Sequence, residues 1–335
     1  MDSLTQITLG SAIGVAVMGR RTQLWKAALW GGICGTMPDL DAFIDHGDPV
    51  SNMTFHRAES HALFYQTLVS PLIAAIPARL HAEWRHFRHW WLAVWLILIT
   101  HALLDLMTVY GTQIALPFTD FPFAVGSVFI IDPLYTVPLL IGVIAALRLR
   151  NDRGLRWNQV GLALSTLYLL WSVVAQQWVL GVTRDSLAAS GIQSDRILVT
   201  PTPFNTVLWR VVALTSDGFV EGFYSLFDPE RRIHFDAFPN GGRLREQLRN
   251  SWHVNRMAWF SRGFFKMTER DGRVLMSDIR FGQEPFYNFT FVVAERRSEE
   301  LVPRVPVRLP PDRNVGPLLA WLRQRIGGNP IPPPR

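Results

Sequence analysis

Charge is divided unequally along this chain, and the division limits what each part can fold into. Residues 1–181 hold 11 Lys or Arg and 11 Asp or Glu, against 22 and 16 in residues 182–335. The first part is made of apolar runs close to the length that crosses a bilayer, about 17–25 residues. The clearest is 90–107, WWLAVWLILITHALLDLM, followed by 128–147 and 160–181. The run 62–80 contains Pro71 and Pro77, 24–44 passes through a polar PDLD, and 4–19 is short and contains glycines. The expectation is an α-helical membrane domain of five to six spans over 1–181. A smaller soluble α+β domain follows over 182–300, with a proline-rich arm over 301–335.

Short loops give the orientation, because Lys and Arg are retained on the cytoplasmic side. Loops 20–26, 79–89 and 148–157 are basic, whereas the connection 107–127 has neither Lys nor Arg. The basic loops are expected in the cytoplasm, and the domain after 182 is expected to be extracytoplasmic. Asp2 stands where a signal peptide would carry basic residues, which speaks against a cleaved leader. The net charge of +6 comes from the second part, where acids are interspersed with arginines. That mixture is unlike the clustered basic face of a nucleic-acid binder and suits a surface near anionic lipid headgroups. One cysteine, Cys34, offers neither an intrachain disulfide nor a Cys-based metal cluster.

Ionisable residues at membrane depth are costly and mark function. Here they are Asp39 and Asp41 in MPDLD, His56 and His61 in HRAESH, His101 and Asp105 inside the fourth run, and Asp132 at the start of the fifth. The threading above puts all of them at one membrane face, although it was set only by apolar length and basic loops. His101 and Asp105 are four apart, so a helix places them on one side, a turn apart. Imidazoles and carboxylates together suit zinc and similar divalent ions. Each residue also has a plainer reading: a helix end for Asp39 and Asp41, a structural pair for His101 and Asp105, a helix cap for Asp132. Asp45, His46 and Asp48 fall on the same side and rank second.

The ordered motifs MDSLTQ with a following Leu-Gly, PDLD, HRxxSH and HALLD resemble those of the YdjM-like family over residues 1–150. Members are membrane-bound bacterial proteins described as metal-dependent hydrolases. The resemblance implies a bacterial inner-membrane location, a divalent metal and hydrolysis; the imidazole and carboxylate donors favour zinc, with manganese as the alternative. It implies ligands from Asp39 or Asp41, with His56, His61, His101 and Asp105. Many relatives have Thr-His near the start, where this chain has Thr5 and Gln6, so that position departs from the pattern. The His-x-x-x-Asp spacing is also similar, more loosely, to zinc-dependent phospholipase C enzymes, which would suggest a phosphoester.

The favoured expectation is a hydrolase acting on a phosphoester or ester of a lipid or lipid-linked substrate. A second metal or Arg57 would stabilise developing charge, and Asp41 or Glu59 would serve as general base. An ion or solute transporter and a non-catalytic scaffold remain alternatives. In the soluble part, 206–214 and 219–227 read as a hairpin around Ser216-Asp217-Gly218. A helix is expected over 243–255, strands over 259–267, 274–281 and 286–294, and an apolar helix over 315–326 within the arm.

Overall fold

A computed structural model describes residues 1–194, 196–311 and 316–335. The chain packs as two compact units. The first comprises residues 1–44, 56–174 and 203–205, and the second takes 45–55, 175–202 and 206–335.

The first unit is helical: α1 (Ser3–Met18), α2 (Leu24–Thr36), α4 (Leu63–Leu80), α5 (Phe87–Leu106), α6 (Pro133–Leu149) and the first part of α7 (Asp152–Ala189). Among the described residues, three stretches are long and apolar enough to cross a membrane: α4, α5 with the turn before it, and α7. α1 and α6 are apolar but shorter. The expected run 24–44 is not one helix. Pro38, which lacks a backbone N–H, follows α2 and opens a 3-10 segment, Pro38–Phe43. The lipid-type pattern is plain on α7, where Leu167, Leu170 and Val174 are exposed. Inside, Trp90, Ile97, Leu139 and Ala146 pack with Ala12, Val15 and Ala27.

α1 and α2 touch through small residues. A methyl group at Gly10 would collide with the carbonyl of Gly31, and one at Gly35 would collide with that of Gln6. Small residues four apart let helix backbones close in this way where lipid gives no hydrophobic drive. The approach carries the C-terminal end of α2 to the beginning of α1. At the opposite end of the unit, Glu83 accepts bonds from Thr22 Oγ1 (2.6 Å) and Trp90 Nε1 (3.1 Å) and pairs with Lys26, while Arg20 pairs with Asp152. The three basic loops are thereby tied together, away from the end that carries His61, His101 and Asp105.

The second unit is rich in sheet. Strands β1 (Arg196–Pro201), β2 (Leu208–Leu214), β3 (Gly218–Ser225) and β4 (Phe235–Pro239) form an antiparallel sheet in that order. Strands β5 (Phe265–Arg270), β6 (Arg273–Asp278), β9 (Thr290–Arg297) and β10 (Glu300–Arg308) form a second, ordered β10-β9-β6-β5, and β7 (Gly282–Gln283) pairs with β8 (Phe286–Tyr287). The expected hairpin is β2–β3. The expected helix 243–255 is instead two, α8 (Gly242–Gln247) and α9 (Trp252–Phe260), split at Asn250-Ser251, residues that favour turns and caps. α9 takes residues expected in a strand because Val254, Met257 and Phe260 bury one helical stripe.

The arm is partly ordered into β10, whose Pro303 and Pro306 are tolerated because the strand lies at a sheet edge. Helix α10 (Gly316–Ile326) buries Trp321 against Phe223. Val315, expected at its start, lies outside the described residues. The short α3 (Pro49–Phe55) completes the unit, with Asp48 accepting from Val50 N and Ser51 N at its first turn.

Candidate metal centre

Four side chains from three separate stretches converge in the first unit. His101 and Asp105 come from the last two turns of α5, and His61 closes a 3-10 turn, Glu59–His61, just ahead of α4. Asp39 comes from the segment that Pro38 opens. One ligand atom from each lies within 4.8 Å of every other. His61 Nε2 is 3.0 Å from His101 Nε2, 3.2 Å from Asp105 Oδ2 and 3.5 Å from Asp39 Oδ1. His101 Nε2 is 3.6 Å from both Asp39 Oδ1 and Asp105 Oδ2. His61, His101 and Asp105 are essentially inaccessible to solvent.

Hydrogen bonds on the far sides of the rings set the tautomers. His101 Nδ1 is 2.7 Å from the carbonyl of Gly35, an acceptor only, so this nitrogen carries the proton and Nε2 is bare. His61 Nδ1 is 2.8 Å from Ser60 Oγ, whose hydroxyl donates to Asp41 Oδ2; the serine oxygen is therefore free to accept from His61 Nδ1–H. His61 Nε2 is then bare as well. Two nitrogen lone pairs and two carboxylate oxygens thus face one another, an arrangement that demands positive charge. Asp105 Oδ2 makes no hydrogen bond among the described residues; Arg57 Nε, 3.1 Å away, is not aligned to give one.

The donor chemistry fits a divalent ion. Zinc bonded at about 2.0–2.2 Å in a tetrahedron separates its donors by about 3.3–3.6 Å, and the five separations above run from 3.0 to 3.6 Å. Imidazoles oriented by a backbone carbonyl and by a serine–carboxylate pair are the usual second support of such donors. Without an ion, a proton serves in its place. Burial disfavours a charged His61, yet the carboxylates of Asp105, Asp39 and Asp41 prevail and raise its pKa to about 9. Burial likewise opposes ionisation of Asp39, and its bonds to His101 and His61 hold it below the usual carboxylate range.

The other expected residues occupy a ring around these four. Asp41 faces His56 Nδ1 (2.7 Å) and accepts from the backbone N of Arg57 (3.0 Å) and from Ser60. Burial notwithstanding, its bonds with His56, His61 and Ser60 hold Asp41 well below the usual range. His56 is partly exposed, with its ring against Tyr110. Arg57 is buried at positive φ, its guanidinium over Tyr110 and bonded to Thr108 Oγ1. Glu59 is exposed and lies outside the group.

Asp132 caps α6 and accepts from Tyr168 OH (2.7 Å). Asp45, His46 and Asp48 belong to the second unit. Gln6, marked in the sequence as a departure from Thr-His, contributes here, as do Ser60 and Gly35, for which no role was expected. Gln6 Nε2 donates to Asp105 Oδ1 (3.1 Å), and its Oε1 is buried without a hydrogen-bond partner among the described residues. A polar residue within the apolar run 4–19 was the available signal for Gln6. Nothing in the sequence marks Gly35 as an acceptor.

Residues 1–179, which include every residue of this centre, match the YdjM inner membrane protein family. The chain belongs to that family. Membership establishes a membrane protein and accounts for the apolar helices of the first unit. The YdjM-type part stops ten residues short of the end of α7. Similarity to an uncharacterized protein, YfhP of Bacillus subtilis (strain 168), reaches further. It is 24% identical over 247 residues, 70% of this chain and 72% of that protein, so the likeness continues past the family match into the sheet-bearing part. No solved structure matches the chain.

Proposed function

We propose that this YdjM-family protein is a membrane-bound metal-dependent hydrolase. Asp39, His61, His101 and Asp105 hold one divalent ion, zinc or else manganese. The observation that carries the reading is the pair of bare imidazole nitrogens 3.0 Å apart between two carboxylates. An ion there supplies Lewis acidity and a water of lowered pKa.

His56 is the proton-transfer residue. Asp41 holds its Nδ1, leaving Nε2 on a partly exposed ring to take or give a proton, the geometry of an oriented general base. Asp41 itself is too well satisfied by donors to act as a base, and Glu59 is exposed, so neither takes that role. Arg57, fixed by its backbone bond to Asp41 and its contact with Tyr110, offers a buried cation for charge developing on a phosphoryl or acyl oxygen. The substrate is a phosphoester or ester of a lipid or lipid-linked molecule. The apolar helices thread the bilayer five or six times, with the tied basic loops in the cytoplasm and the centre and the sheet-bearing domain on the outer side.

The test is elemental analysis of protein purified in mild detergent, beside the His61→Ala/His101→Ala double variant. One zinc or manganese per chain in the wild type, lost from a folded double variant, supports the reading and directs screening to esters and phosphoesters. A wild type that takes up no metal even on reconstitution ends it.

A further inference from the structure

The 3-10 segment that carries Asp39 has a second side. Asp39 and Asp41 turn towards the imidazoles, while Leu40 (56% exposed), Phe43 (86%) and Ile44 (56%) turn outward. Phenylalanine is seldom left this bare in water, where full burial of such a side chain is worth about 1.5–3 kcal/mol. The exposed row is continuous with membrane-type surface. Leu29 and Ile33 precede it on α2, and Leu68 and Leu72 are exposed on α4. A second apolar outcrop at the same end pairs Phe118 with Phe64, their rings 5.7 Å apart at the start of α4.

Depth follows from the helix that shares the centre. The 20 residues of α5 rise about 30 Å, the thickness of a bilayer's hydrocarbon core. His101 and Asp105 lie about 8 Å and 2 Å short of its last residue, counting about 1.5 Å per residue. Asp39 approaches His101, so the segment bearing it lies at that level too, where acyl chains give way to glycerol esters and phosphates.

We infer that Pro38–Phe43 is an interfacial wedge. Leu40, Phe43 and Ile44 dip among the acyl chains of the bilayer, and Asp39 and Asp41 on the other side hold the centre level with the lipid ester and phosphate groups. Resting on the hydrolase reading above, this assigns the substrate to a resident bilayer lipid that arrives sideways past the wedge, rather than to a solute from the water.

The experiment places a fluorophore on the wedge of the full chain. Cys34, buried in α2, is changed to alanine, and a single environment-sensitive label is attached through Phe43→Cys or, as a second variant, Leu40→Cys. Each is reconstituted in phosphatidylethanolamine–phosphatidylglycerol nanodiscs. Quenching by lipids brominated high on the acyl chain, with little quenching by aqueous iodide, is the expected result at both positions. Iodide quenching without lipid quenching overturns the inference, and so does shielding from both, which would mark a protein partner on this face. Metal content measured on the same samples separates the two readings. Retained metal with a water-exposed label sinks the wedge alone, and a lipid-quenched label without metal sinks the hydrolase alone.

Discussion

Two sets of buried charges can be compared within this molecule. In the sheet-bearing unit, Arg280 Nε lies 2.9 and 3.1 Å from the two oxygens of Asp278, with its terminal nitrogen 2.6 Å from one of them. Arg210 likewise donates Nε to Glu221 (2.8 Å) and a terminal N–H to the carbonyl of Ile279 (2.8 Å). Each acceptor there meets a donor, and each pair is internally neutral. In the helical unit, Asp39, His61, His101 and Asp105 present four acceptor atoms to one another. The Met1 terminal ammonium pairs with Asp105 Oδ1 and Arg57 lies beside Oδ2, unaligned for a hydrogen bond, so both cations serve Asp105 and neither reaches the two imidazoles or Asp39. Burial is alike in both places except at Asp39, which is partly exposed. What differs is closure: the first set is complete within the chain, whereas the second leaves room for a cation among its four donors.

The comparison breaks most visibly at Arg280. Arg280→Ala leaves Asp278 buried without its partner and should cost about 3–5 kcal/mol of stability in the sheet-bearing unit, read by denaturant unfolding, with metal content unchanged. A variant whose metal content fell in step would mean the two sets are not independent. Asp39→Asn should do the reverse. Metal affinity falls on the order of a hundredfold, measured by chelator competition, while the metal-free protein loses only the stability that Asp39 draws from the two imidazoles, which hold its carboxyl below the usual range. A metal-free protein that unfolds on this change would show the carboxylate to be structural.

Ser60→Ala, which takes away the support of His61 Nδ1, should weaken metal binding about 10- to 100-fold with the four donors intact. Unchanged affinity would return Ser60 to the role of an ordinary turn residue. The smallest effect is a slope. With the His61 pKa raised from 6.5 to about 9, the metal-free protein gains stability from the charged ring. That gain is full below about pH 6.5 and is lost as pH rises through about 9. Saturating metal requires the ring neutral, so melting temperature between pH 7 and 10 should fall for the metal-free protein and flatten once metal is bound. Parallel curves would contradict it.

Much of this contrast was readable from residue order. The span 90–107 carries His101 and Asp105 at helical spacing, and the basic loops put Asp39, Asp41, His56 and His61 at the same end. Patterns of this kind locate side chains along an axis. They do not say which of six neighbours meet and which stand behind, because that depends on contributions with no signature of their own. The carbonyl of Gly35 reaches His101 only because α1 and α2 close on small residues, and Ser60 acts through a hydrogen bond between near neighbours in a tight turn. In the sheet-bearing part, the β2–β3 hairpin was legible from its apolar runs and glycine turn. β10 was hidden by its prolines, which read as part of a proline-rich arm until an edge position accommodates them. The assignment of residues 45–55 to the second unit depends on long-range packing that no local pattern records.

The order of the donors along the chain has a consequence for biosynthesis. Asp39 and His61 emerge early, and His101 and Asp105 arrive only with the far end of α5. An ion bound by all four ties together stretches that synthesis delivers separately, and closing such loops costs chain entropy that the bonds must outweigh. On the proposed reading, ion capture would wait until α5 is in place and would then fasten it to the two earlier stretches.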